Sequence, residues 1–280
     1  MSDFLRTMAA GSAERAAALS ETWSARDFDR PAAPLNLGSF DLIAEIKERS
    51  PLAGELASGS GSRTERARQY LEGGAAAISV LTEPSRFGGD MSHLREVAAA
   101  VSGAGMPVMR KDFLVDVRQV LEARAAGASG VLLIVAMLGD ERLSRMLDCA
   151  FEHSLFVLLE SFDEDDLRRT KNLLEIGRYS DRAGRRQLLV GVNSRNLRTL
   201  QVEPRRLERL APLLPDGAVA VAESGLRTPE DAALASSLGY RVALIGTALM
   251  REGNPGALIG DMLVAGRGAV ATRKRNSIRA

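Results

Sequence analysis

The stretch "EARAAGASGVLLIV" (122–135) carries a helical pattern to a glycine and then runs directly into a short, continuously apolar segment. Glycine is the preferred residue just past a helix C-terminus, and four to eight apolar residues bounded by such a signal read as a strand. The same plan recurs in "YLEGGAAAISVL" (70–81) and "LASSLGYRVALIG" (234–246). Strands apolar on both faces belong to a parallel sheet covered by helices. Further strands are expected at "DLIAEI" (41–46), "MPVMR" (106–110), "SLFVLLE" (154–160), "QLLVGV" (187–192) and "AVAVAE" (218–223), eight in all. Helical stretches lie between them, such as Asp163–Leu174 with four acids in its first turn, where the positive end of the helix dipole favours them. The fold class is therefore α/β, a (β/α)8 TIM barrel with an N-terminal helical extension. An open doubly wound sheet is the alternative, but no G-x-G-x-x-G follows the first strand and no Walker-type G-K-[ST] occurs.

Residues 1–280 read as a single barrel domain. Residues 1–40 form the extension, which could cover the barrel bottom or edge the active site, and 267–280 form a basic, flexible tail. The chain is 45% hydrophobic and 26% charged, enough for a large core and an ordinary soluble surface. A net charge of +1 supplies no strong field for nucleic acid or an anionic membrane, so neither is expected as a partner. The opening twenty residues contain Asp3 and Glu14 and lack an apolar core, and the longest apolar run, "VLLIVAML" (131–138), is too short for a bilayer. A cytoplasmic location is expected. The single cysteine, Cys149, reads as a small buried apolar residue in a helix. With only His93 and His153 besides, few candidates remain for a zinc site or a histidine triad, so no metal is expected and the chemistry falls to lysine and carboxylates.

Polar groups then appear at one end of strand after strand. In the first, period two puts Ile43, Glu45 and Lys47 on one face. "PVMRKDFLVD" (107–116) ends the third strand at Lys111, and the fifth, sixth and seventh end at Glu160, Asn193 and Glu223. The C-terminal ends of the strands are where this fold builds active sites. A strand-end charge is commonly only the start of a loop, and a structural ion network closing the barrel top would use the same residues. Convergence of five strands favours general acid–base work. "AESGLRTPED" and "LIGTALM" add Ser224-Gly225 and Gly246-Thr247 after the last two strands, the usual phosphate site of the fold.

At these residues the chain resembles the indole-3-glycerol phosphate synthase family. The resemblance rests on "LIAEIKERSP", "GGAAAISVLTEPSRFGGD", "PVMRKDFLVDVRQVLEARAAGASGVLLIVAML", "VGVNSRNLRTL", "AESGL" and "LIGTALM", in order from about residue 41 to 251. It implies a sugar-phosphate substrate, an anthranilate amine joined to deoxyribulose phosphate, which is ring-closed, decarboxylated and dehydrated without a cofactor. By the same resemblance Lys111 is the general acid at the sugar carbonyl, and Glu160 and Glu45 are acid–base carboxylates. Lys47 lies close to the substrate carboxylate, Asn193 orients hydroxyls and Glu223 completes the polar cluster. Ser50, Arg195, Ser224, Gly225, Gly246 and Thr247 are implied on the phosphate side, with Phe87 and Leu197 as walls for the aromatic ring.

The chain departs from the family pattern at Pro51-Leu52-Ala53-Gly54, where a serine usually follows the proline, and at Leu159-Glu160-Ser161-Phe162, where a histidine is usual. "IGRYSDRAGRRQ" (176–187) is longer and more basic than the family's and reads as a surface insertion. A sugar-phosphate isomerase-like barrel and a phosphate-binding protein without turnover are the other readings. Weak self-association or contact with a pathway enzyme is left open.

Overall fold

The computed structural model describes residues 1–19, 22–50, 54–56, 61–196, 201–203 and 205–279, with side chains through 271 apart from that of Ser50. Eight parallel strands close on themselves: β1 (Asp41–Ile46), β2 (Ala77–Leu81), β3 (Val108–Lys111), β4 (Gly130–Ile134), β5 (Phe156–Ser161), β6 (Leu188–Asn193), β7 (Val219–Glu223) and β8 (Val242–Ile245), with β8 returning to β1. Ile43 of β1 stands opposite Ala77 on one side and Leu244 on the other, which fixes the closure. Helices occupy the connections: α1 (Asp3–Ala17) precedes the barrel, and α2 (Arg63–Glu72), α3 (Met91–Val101), α4 (Val117–Ala125), α5 (Asp140–Glu152), α6 (Glu164–Leu174), α7 (Gly177–Gly184), α8 (Arg206–Leu210), α9 (Pro229–Leu238), α10 (Thr247–Arg251) and α11 (Pro255–Arg279) follow. The expected strands and the barrel are all present. Among the described residues no helix is long and apolar enough to cross a membrane.

Alternation along each strand splits the core in two. Ile43, Met109, Leu132, Leu158, Leu189, Val221 and Leu244 fill the barrel interior. Their neighbours Leu42, Val108, Val131, Val157, Val190, Ala222 and Ala243 pack outward under the helices. Both sets are buried, which is why the strands read as unbroken apolar runs. The helix-to-strand turns need a left-handed residue, and Gly127 (φ 91°) and Gly239 (φ 107°) supply it without a Cβ penalty. Inside the barrel, a Cβ on Gly130 would lie 2.5 Å from the Phe156 ring, so that glycine makes room for the ring.

The N-terminal extension serves both ends of the barrel. Leu5 and Met8 of α1 join the interior cluster, and Arg15 pairs with Asp112 at 2.8 Å beside the end of β3. Gln119 Nε2 donates to Ser12 Oγ at 2.8 Å, a second tie between α1 and the start of α4. The segment before β1 runs beneath, where Ser129 Oγ accepts from the Ala33 amide and Leu37 accepts from Arg186.

The stretch 176–187 is largely exposed, as expected of a surface segment, but α7 anchors it by burying Tyr179 completely against Phe151, with ring centroids 6.5 Å apart, and the Tyr179 hydroxyl donates to Asp148. The apolar ring outweighs the basic residues around it in deciding where the segment sits. The backbone of α11 runs as helix through Arg279, into the basic stretch that closes the sequence. Cys149 is half-buried, because the inward face of α5 is taken by Met146, Leu147 and Ala150.

Asp166, in the first turn of α6, accepts a hydrogen bond from the Phe162 amide at 3.0 Å. Burial pushes its carboxyl up to about 6 despite that bond, and Asp163 adds to the rise. The folded protein therefore holds this proton more tightly than the unfolded chain, whose group titrates near 3.8. Stability contributed here is complete below that value and is lost as pH rises through about 6. Asp166→Asn keeps the acceptor and removes the charge. Urea denaturation from pH 4 to 7 is expected to show the variant gaining on the parent as pH rises.

Candidate active site

The C-terminal ends of the strands open into a cleft of about 800 Å3. Glu45, Lys47, Phe87, Lys111, Glu160, Asn193, Arg195, Glu223, Ser224, Gly225, Gly246 and Thr247 all line it. Twelve of the fourteen residues singled out from the sequence thus share one mouth. Ser50 lies on the ribbon Arg49–Ser50, paired with Gly54, and Leu197 falls outside the described residues.

Each inward position is set by strand register. Lys111 leaves the end of β3, and its ammonium reaches Glu160 Oε2 at 3.0 Å and Glu223 Oε2 at 3.3 Å. Asn193 Nδ2 donates to the other Glu160 oxygen at 3.2 Å, while Asn193 Oδ1 accepts from the Arg195 amide at 2.9 Å. Across the mouth, Lys47 Nζ lies 2.6 Å from Glu45 Oε1. Both lysine amines therefore face the same space, each with its carboxylate.

Burial here is severe enough to decide protonation. Desolvation alone would strip the proton from Lys111, but Glu160, Glu223 and Glu45 outweigh it and hold the ammonium well above the ordinary lysine value. Desolvation would likewise raise Glu45, yet Lys47, Lys111 and Arg195 bring it below the ordinary carboxylate value. Burial lowers the Arg195 guanidinium, with Glu45 and Glu160 opposing. Glu223 goes the other way. Desolvation and then the charge of Glu160 raise it far above a normal carboxylate, and Lys111 does not compensate. Its Oε1 is buried with no hydrogen-bond partner among the described residues, so nothing offsets the cost of charge on that oxygen. Within one cluster, beside Lys111, the surroundings thus push Glu45 toward its charged form and Glu223 toward its protonated one.

The turn after β7 is strained. Ser224 sits at φ 66°, unusual for a residue with a Cβ, and Gly225 follows at φ 86°. Ser194 Oγ braces this turn, donating to the carbonyls of Ser224 at 2.7 Å and Glu223 at 3.1 Å. Such strain persists only where surrounding bonds enforce it, and it clusters at ligand sites.

Several lining residues were not legible beforehand. Phe4 of α1 meets Phe113 edge-on, with centroids 5.8 Å apart, and Phe87 lies 6.1 Å from Phe113 on another side. No spacing rule connects Phe4 to a ring more than a hundred positions away. Within "PVMRKDFLVD" the charges also divide by face. Arg110 points outward and is buried, donating to Glu122 at 2.7 Å, to the Gln119 carbonyl at 3.0 Å and to Asp112 at 3.1 Å. Asp112 accepts from Thr82, Arg15 and the Phe113 amide as well. It ties β2, β3 and α1 together directly beside Lys111.

Residues 24–262 match the family described as indole-3-glycerol phosphate synthase. A protein of that name from Nocardioides sp. (strain ATCC BAA-499 / JS614) is 47% identical over 232 residues, 82% of this chain and 83% of its own. One from Parafrankia sp. (strain EAN1pec) is 43% identical over 234 residues, 84% of this chain and 81% of its own. Among solved structures, 3-hexulose-6-phosphate synthase from Salmonella typhimurium aligns with a TM-score of 0.61 at 14% identity, over 84% of this chain and all of that one, a likeness of fold.

Asp112→Ala should cost about 3 kcal/mol in urea denaturation, the low end for breaking a buried ion pair, since Arg110 keeps Glu122. Asp112→Asn, which can still accept from Thr82 and Phe113, should lose less. The matched segments span the whole barrel and carry the strand-end residues that meet in the cleft, and the chain belongs to the indole-3-glycerol phosphate synthase family.

Proposed function

We propose that the chain converts 1-(2-carboxyphenylamino)-1-deoxyribulose 5-phosphate to indole-3-glycerol phosphate, acting as a carboxy-lyase in tryptophan biosynthesis. The observation that carries this reading is the shared cleft, in which two lysine amines and three buried carboxyl groups stand beside the Ser224-Gly225 and Gly246-Thr247 turns.

Ring closure begins when the aromatic carbon bearing the carboxylate attacks the sugar C2 carbonyl. Negative charge develops on that oxygen, and a fixed, desolvated ammonium at Lys111 stabilises it. A raised lysine pKa does not prevent proton delivery, because an alkoxide is a stronger base than any amine. Loss of carbon dioxide returns its bonding electrons to the ring. The remaining C2 hydroxyl then leaves as water, with Lys111 or Lys47 supplying a proton and Glu160 or Glu45 taking one from the adjacent carbon. Atoms and electrons balance with no oxidant or reductant, so the sequence is written without a cofactor.

Lys47 is assigned to the substrate carboxylate and Asn193 to the sugar hydroxyls. Glu223 completes the polar cluster. Ser50, Arg195, Ser224, Gly225, Gly246 and Thr247 are assigned to the phosphate side, and Phe87 with Leu197 to the aromatic ring. Phe4 and Phe113 support an aromatic-ring subsite at that end of the cleft. The chain is taken as one working barrel unit acting in the cytoplasm. Self-association or contact with a pathway enzyme would leave this chemistry unchanged.

The parent should generate indole-glycerol fluorescence from the ribulose phosphate substrate. Lys111→Ala should lower kcat by about 10²–10⁴-fold while remaining folded. Absence of product with the parent protein would favour a binding role, and full activity in the variant would remove Lys111 from the acid step.

A further inference from the structure

The inner wall of the mouth lacks a side chain at Gly191. This residue alternates with Leu189 and Asn193 on the inward face of β6, and its Cα stands level with Glu160 on β5 and Val221 on β7. Glu223 starts one layer higher, level with Asn193, so its side chain leans back toward the space that Gly191 leaves open. A Cβ built on Gly191 would overlap Glu223 Oε1 and come within 3.3 Å of its carboxyl carbon, with Leu158 Cδ1 at 3.1 Å behind. The same relation recurs across the cleft. A Cβ on Gly246 would lie 3.0 Å from the Glu45 carboxyl carbon and 2.8 Å from Lys47 Nζ. Two glycines, one within β6 and one just past the end of β8, thus face two of the buried carboxyl groups of one cluster.

We propose that Gly191 is a positioning residue, and that the space left by its missing side chain seats the Glu223 carboxyl against Lys111. Both ends of that carboxyl are spoken for. Oε1 occupies the glycine seat, and Oε2 lies 3.3 Å from the Lys111 ammonium. A methyl group at position 191 meets the movable tip of a side chain rather than backbone, so folding can absorb it by pushing the carboxyl away. The cost then falls on the distance to Lys111. Backbone dihedrals do not explain the glycine, since Gly191 is not among the left-handed residues of the chain.

This inference rests on the acid role given to Lys111, and the experiment separates the two. Steady-state kinetics and thermal unfolding would be measured for the parent, Gly191→Ala, Glu223→Asp and the double variant. Gly191→Ala is expected to lose about 10²-fold in kcat, the scale of a 1 Å misplacement, with KM little changed and the fold intact. Aspartate is one methylene shorter and clears the added methyl, so the double variant should turn over faster than Gly191→Ala alone. Should Gly191→Ala fail to fold, a folded and active double variant would still support the seat, and failure of both would overturn it. Parental kcat in Gly191→Ala, or a double variant no faster than the single one, would also overturn it. A parent that makes no product would sink the proposed reaction itself.

Discussion

The ammonium of Lys111, held 3.0 Å from Glu160 and 3.3 Å from Glu223 inside a desolvated barrel mouth, constrains everything around it. An isolated charge cannot be buried there without cost, and two full negative charges against one positive would overshoot. Burial and the neighbouring Glu160 push Glu223 toward its protonated form, which lessens that excess, while Asn193 orients the Glu160 carboxyl. Lys47 and Glu45 form a separate, shorter pair across the cleft, and Lys111 also contributes to keeping Glu45 ionised. The two halves are therefore electrostatically linked without sharing a hydrogen bond.

The choice of lysine has chemical weight in this chain. Of 37 basic residues only four are lysines, and two of those, Lys47 and Lys111, stand in the cleft. Arginine serves where charge must be permanent and hydrogen bonds forked, as Arg110 does between β3 and α4 with Asp112 and Glu122. A lysine ammonium is a compact donor that can surrender its proton to a stronger base. The outward arginine and inward lysine, adjacent on β3, serve the packing layer and the cleft respectively, divided by the period of the strand.

That period makes much of the cleft lining readable in the sequence. Glu45, Lys47, Lys111, Glu160, Asn193 and Glu223 sit at strand ends, and in a closed parallel barrel all strand ends of one polarity meet. The turns after β7 and β8, expected at the same mouth, also line it with Ser224, Gly225, Gly246 and Thr247. What stayed hidden depends on packing between distant parts of the chain. Phe4 reaches the cleft because Arg15 fastens α1 beside β3, Ser12 ties it to α4 and Leu5 and Met8 pack into the interior, and no local pattern announces those contacts. Tyr179 is buried in a segment whose arginines suggest solvent. Gly191 gives no sign in the sequence that its missing side chain matters, because the atom it accommodates arrives from another strand.

Direct titration of the lysine side chains by NMR tests the account at its root. With four lysines in the chain, carbon-13 and nitrogen-15 labelled lysine gives few signals, and comparison with Lys111→Arg assigns the one of interest. Lys111 should keep the shifts of an ammonium to about pH 11, beyond the ordinary lysine value. A neutral amine at Lys111 below about pH 9 would contradict the proposed balance of charge and the role built on it.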